Sequence, residues 1–149
     1  MEIGMVFGLI GAVIAFGCSG AGSAVAMSWA GQAAAGVVKE DSRKFGQTLV
    51  LQAMGSTNGI YGLLLAFLVI QRSMTVTDAN TGLWLLFSCV PMGVVGLVAA
   101  MVQGKALVSG IMLIGKKSGE LSKALIYAAM IETYAIFALL ISFIMYSNV

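Results

Sequence analysis

The sequence predicts an all-α membrane protein whose four transmembrane helices form a duplicated helical hairpin. Three observations predict it. The 149 residues are 60% hydrophobic and 9% charged with a mean hydropathy of +1.01, whereas roughly a quarter of the residues in a soluble domain are charged. Three polar runs separate four apolar stretches, each long enough to cross a hydrocarbon core of about 30 Å as a helix. The second half of the chain also repeats the first in register. Four spans use almost all of this length, so no catalytic site is expected outside the bilayer. Eight basic and six acidic side chains are too few to make a nucleic-acid surface.

The first span is expected from about Ile3 to Val38. A cleaved signal peptide is the competing reading, but Glu2 occupies the n-region without Lys or Arg and the apolar run continues past Ala30. Met1 is therefore taken as the start of the first helix. Gly4 and Gly8 form a GxxxG, and Ser19/Ser23, Gly22/Ala26 and Ala26/Ala30 continue the i, i+4 spacing of small residues. Another backbone can approach such a face closely.

Lys39 to Lys44 is the first polar loop, and the second span follows from about Phe45 to Ile70 with the polar centre Gly55-Ser-Thr-Asn-Gly59. Gln71 to Thr81 is the second loop. The third span, from about Gly82 to Ile114, contains the one proline, Pro91, which is expected to bend it and free the Phe87 carbonyl. Gly115 to Ser122 is the third loop, and the fourth span runs from about Leu121 to Tyr146. Basic residues number six in or beside loops one and three (Lys39, Arg43, Lys44, Lys116, Lys117, Lys123) against Arg72 alone on the other side. That bias puts loops 39–44 and 115–122 in the cytoplasm of a multi-pass protein with both termini outside.

At an offset of 76 the fourth span matches the second: Ala53-Met54 on Ala129-Met130, Thr57 on Thr133, Leu63-Leu64 on Leu139-Leu140. The third span matches the first less well, at an offset of 82. Residues 1–72 and 81–149 are thus expected to be two hairpin repeats in one orientation. Ser56 stands where the second repeat has Glu132.

Glu132 is the acidic residue within the fourth span. A bare carboxylate there would cost several kcal/mol, so it must be protonated, paired or bound to a cation, and such a residue is a functional candidate by default. Counted from the basic ends of their spans, Asn58, Gln103 and Glu132 all fall about 16 to 20 Å deep. Thr57, Asn58, Gln103 and Glu132 then share one level, with Tyr61 and Thr133 close enough to orient them. Amide, hydroxyl and carboxylate oxygens, with a backbone carbonyl near Met54, suit a small hard cation such as Na+. The same groups can instead hold a protonated Glu132, or simply bond helix to helix.

Cys18 and Cys89 lie inside apolar stretches and there is no His, so neither a disulfide framework nor a Cys/His metal site is expected. Lys105 is two residues beyond Gln103, is expected to face another surface or to snorkel, and is not assigned to the ion site. Gly110 to Lys117 approaches a phosphate-loop pattern, but it lacks the Ser/Thr and is the end of a membrane helix. No tightly bound cofactor is expected.

Gln103-Gly-Lys105, Ala129-Met-Ile-Glu-Thr-Tyr-Ala-Ile136, Phe45-Gly-Gln47 and Gly59-Ile-Tyr-Gly62 together resemble the proteolipid ring subunit, known as K, of bacterial V-type rotary ATPases, most closely the sodium-pumping type. The resemblance covers all four spans. It implies identical copies in a homo-oligomeric ring, spans one and three inside and two and four outside. Glu132 would carry the ion, with Gln103, Thr57, Asn58 and the Met54 carbonyl completing a Na+ site and Tyr61 bonding the carboxylate. Implied partners are a stator membrane subunit bearing an arginine, a central-stalk subunit at the cytoplasmic loops, and the lipid bilayer. The sodium type has Pro-Gly-Thr-Gln where this chain has Gly55-Ser-Thr-Asn58, which keeps H+ as the alternative ion. A small proton-coupled multidrug transporter, of another class, would place its carboxylate in the first span among aromatics.

Overall fold

The computed structural model describes residues 2–149, and Met1 lies outside the described residues. The described chain is helical: α1 (Ile3–Glu40), a short 3-10 turn (Ser42–Lys44), α2 (Phe45–Met54), α3 (Thr57–Ser73), α4 (Ala79–Lys116) and α5 (Leu121–Ser147). With α2 and α3 forming one broken span, four spans of 38, 32, 38 and 27 residues are long and apolar enough to cross a membrane. At 1.5 Å per residue the 38-residue helices reach about 57 Å, well beyond the hydrocarbon core.

The α1–α4 pair is the most extensive contact in the chain, and small residues explain it. A Cβ on Gly22 would lie 2.7 Å from the Leu97 carbonyl oxygen, and one on Gly104 2.7 Å from Ala26 Cα. The two backbones therefore touch directly, the approach that small-residue faces permit where lipid removes any hydrophobic drive between helices. Helix α3 packs on α1 and α5 on α4. This gives a small-residue layer of α1 and α4 under a second layer of α2–α3 and α5.

Two departures from the expected boundaries have local causes. Helix α4 starts at Ala79, before Gly82, because Asp78 caps it: its carboxylate accepts from Thr81 N at 3.0 Å. The second span is not one helix from Phe45 to Ile70. Gly55 N and Ser56 N bond back three residues, to Gln52 O and Ala53 O, and this tightened turn divides α2 from α3. As expected, Pro91 lies inside a single helix, α4. Past the proline ring, the Met92 amide donates to Ser142 Oγ on α5 at 3.1 Å. A buried serine thereby satisfies backbone beside the proline and ties the two helices together.

At the other end of the bundle, Lys44 Nζ donates to Gly115 O at 2.5 Å, so the first and third loops share one end. Asp41 accepts from Arg43 N and Nε at 3.1 and 3.0 Å, and these bonds hold its carboxyl below the usual carboxylate value. Gly119 turns the third loop at φ 92°, where glycine carries no Cβ penalty.

Replacing Ser142 by Ala removes the bond that ties the Met92 amide of α4 to α5. The expected loss is about 1 kcal/mol, read as a lower thermal midpoint of the purified protein in detergent; an unchanged midpoint would show that this bond contributes nothing.

A candidate ion site at the middle of the bundle

Helix α3 brings Asn58 and Tyr61, α4 brings Gln103 and α5 brings Glu132 into one hydrogen-bonded cluster. Tyr61 Oη donates to Glu132 Oε1 at 2.6 Å, a short bond between α3 and α5. Gln103 Nε2 lies 3.4 Å from Glu132 Oε2 and 3.3 Å from Ala128 O, the carbonyl one turn earlier on α5. Asn58 Nδ2 donates to Gln103 Oε1 at 2.7 Å. A chain of contacts thus runs Asn58, Gln103, Glu132, Tyr61 and returns to α3, where Asn58 and Tyr61 sit three residues apart. Asn58 and Gln103 are fully buried, while Glu132 and Tyr61 are partly exposed.

Local sequence explains why these groups meet. The break after Met54 lets α3 restart at Thr57, and Thr57 Oγ1 donates to Met54 O at 3.0 Å. Gly59 N, near the start of α3, donates to Ser23 Oγ of α1 at 2.8 Å. Gly62 has no room for a Cβ, which would collide with Ser19 Oγ. Together these seat α3 against α1 and set the position of Tyr61. On α5, Ala128 and Ala135 are fully buried on either side of Glu132, so small residues admit the Gln103 amide.

Of the seven residues singled out from the sequence, Glu132, Gln103, Asn58 and Tyr61 are brought into one hydrogen-bonded cluster. Thr57 and the Met54 carbonyl lie at the helix break and are bonded to each other. Thr133 is outside the cluster: exposed, it donates to Met130 O on its own helix at 2.8 Å. Sequence reasoning missed Ala128 O, Ser23 and Ser142. Ser23 carried a signal, being a hydroxyl in the small-residue run that faces a glycine-flanked break. Among the described residues no group of three or more His, Cys, Asp or Glu could hold a metal ion, so any ion here must be held by mixed oxygen ligands. Asn58 Oδ1 supplies one candidate, being buried without a hydrogen-bond partner.

The profile of the ATP synthase C-subunit family matches the chain twice, over residues 10–69 and 86–145. The chain belongs to the ATP synthase C-subunit family. The two matches begin 76 residues apart and end 76 residues apart, so a single offset serves both hairpins and replaces the offset of 82 expected for the first and third spans. This family member is 38% identical over 145 residues to the V-type sodium ATPase subunit K of Enterococcus hirae, covering 97% of this chain and 93% of that one. It is 34% identical over 142 residues to the A-type ATP synthase subunit K of Methanocaldococcus jannaschii, covering 95% of this chain and 62% of the longer relative. The protein is accordingly a multi-pass, ring-forming membrane component of a V/A-type ATPase.

The Tyr61 hydroxyl covers Glu132 Oε1 through a bond worth about 1.5 kcal/mol, so removing it frees the carboxyl for attack by a carbodiimide. Tyr61→Phe is expected to raise the rate of carbodiimide labelling of Glu132 at neutral pH by about tenfold. Equal rates would show that Tyr61 does not hold the carboxylate.

Proposed function

We propose that this chain carries Na+ on Glu132 through the membrane sector of a V-type ATPase as its ring rotates, coupled to ATP hydrolysis or synthesis on partner subunits. The observation that carries the reading is the buried, unpartnered Asn58 Oδ1 beside the Asn58–Gln103–Glu132 chain. An acceptor left without a donor inside a bilayer is costly, and a cation satisfies it. The ligands in this reading are Glu132, Gln103, Thr57, Asn58 and the Met54 carbonyl, with Tyr61 bonding the carboxylate. The sodium ATPase subunit from Enterococcus hirae, matching over nearly the whole chain, supports the choice of ion.

Energetics supply the coupling. A charged carboxylate does not cross lipid cheaply, so Glu132 traverses the lipid-facing arc only when neutralised. Exchange takes place at a stator membrane subunit, where an arginine pairs with the emptied carboxylate and aqueous half-channels let one ion leave and the next enter. The basic loops 39–44 and 115–122, joined through Lys44 and Gly115, face the cytoplasm and the central stalk, leaving both termini outside.

One observation favours H+ instead. Gln103 Oε1 is already occupied by Asn58 Nδ2, and Asn58 is one methylene shorter than the Gln of the sodium pattern, so fewer oxygens converge on the carboxylate. Labelling of Glu132 by a carbodiimide in the purified ring separates the two, with Glu132→Gln as the unreactive control. Protection by millimolar Na+ at constant ionic strength is the expected result. Labelling that responds to pH but not to Na+ makes the carried ion H+.

A further inference from the structure

Lys105 has no use in the ion site, yet it lies only two residues, about 3 Å along α4, from Gln103. It is exposed, and among the described residues its ammonium has no hydrogen-bond or ion-pair partner. Successive helical residues turn by about 100°. Gly104 faces α1 and Gln103 faces α5, so Lys105 points about 100° from the first direction and about 160° from the second. It is turned out of its own bundle. A lone cation inside a spanning segment requires a polar partner or a route to the interface.

A partner stands at the matching height on the opposite flank of the same chain. Close contacts of Gly82 with Gly4, Gly104 with Ala26 and Gly115 with Val37 show that α1 and α4 run parallel, each α1 residue level with the α4 residue 78 positions on. Lys105 is therefore level with Met27. Between Val13 and Gly36 the exposed polar residues of α1 are Ser28 and Gln32. They are bonded to each other, Gln32 Nε2 donating to Ser28 Oγ at 3.3 Å, which leaves the Gln32 amide oxygen free to accept. Gln32 lies about 7 Å beyond the level of Lys105 toward the basic end, the direction in which a lysine stem extends its head to water.

The apolar residues beside these groups are complementary at the same heights. Val94, Val98 and Val102 form an exposed ridge on α4 that continues into Lys105. By the same register Val98 is level with Gly20 and Val102 with Ala24, which line a groove on α1. Rotation about an axis along the membrane normal preserves height, so in a ring the α4 flank of one copy meets the α1 flank of the next at these levels.

We propose that Lys105 of each copy donates to Gln32 Oε1 and Ser28 Oγ of the next copy, with Val98 and Val102 seated against Gly20 and Ala24. This contact rests on the ring assembly but not on the identity of the carried ion. It sets the register between neighbours and gives the membrane-embedded cation its partner.

The test uses the full chain with Cys18→Ala and Cys89→Ala, purified as the assembled ring. Lys105→Cys combined with Ser28→Cys, positions only about 1.5 Å apart in height, should yield, on mild oxidation, a ladder of covalent oligomers up to the whole ring, and neither single variant should. A second arm avoids dependence on the cysteine background: Gln32→Glu should raise the temperature at which the ring dissociates when Lys105 is present and lower it in Lys105→Met. A native mass showing an intact ring, with no ladder and no such reversal, overturns the contact. Loss of bound phospholipid from the Lys105→Met ring under those conditions would assign Lys105 to an anionic headgroup instead, which also overturns it. A chain that never forms a ring overturns the contact and the ring assembly together.

Discussion

A carboxylate placed among apolar side chains must be hydrogen-bonded, protonated or paired, because its desolvation is not offset by packing. In this chain that constraint falls on Glu132, and its partners come from two other helices. Tyr61 reaches one carboxylate oxygen from α3 and Gln103 the other from α4. Neither contact is local in sequence, so the position of three helix axes must be right within a fraction of an ångström for both to form. The donors also differ in mobility. Gln103 is fully buried and bonded at both ends of its amide, whereas Tyr61 is partly exposed and carries a single bond. The ion exchange proposed above needs this asymmetry, one fixed wall and one that can open.

The fixed wall depends on the glycine and alanine contacts between α1 and α4. Where backbones meet directly there are no long side chains to repack, so sliding one helix against the other breaks several contacts together. Asn58 and Gln103 inherit that rigidity, Asn58 through the seat of α3 on Ser19 and Ser23, Gln103 because its neighbour Gly104 is pressed against Ala26. The broken second span serves the same end. An unbroken helix would commit the Met54 carbonyl to its own ladder, whereas the tightened turn at Gly55 and Ser56 brings it to the Thr57 hydroxyl.

Hydropathy alone made the four spans legible, since few other arrangements tolerate so little charge. The shared depth of Asn58, Gln103 and Glu132 was legible as well, because the helical rise is constant and the polar loops supply an origin for counting. Direction around the helix was harder. Thr133 follows Glu132 by one residue, about 100° of rotation, and depth counting cannot distinguish the two until the neighbours of α5 are known. The pairing of Asn58 with Gln103, which sets how many oxygens remain for an ion, also depended on distances between helices. The break at Gly55 was visible only as a cluster of small polar residues, a pattern that fits an intact packed helix equally well. Ser142 gave no signal, for its partner is a backbone amide near Pro91 fifty residues earlier.

The duplication raises the question of why one half lacks a carboxylate. At the common offset Ser56 corresponds to Glu132, and the two positions have diverged in backbone as well as side chain. Glu132 lies within a continuous α5 whose buried alanines leave space for the Gln103 amide. Ser56 lies in the turn between α2 and α3, its hydroxyl already donating to Ala53 O at 2.7 Å. The residue matching Gln103 in the first half is Met27, whose side chain crowds Gly55 and offers no hydrogen-bonding amide. A carboxylate introduced at position 56 would therefore find no counterpart to Gln103. The first hairpin has become a support: its broken helix supplies Asn58 and Tyr61 to the cluster around Glu132. One carboxylate per four helices is the consequence, and in the function proposed above it assigns one ion to each whole chain.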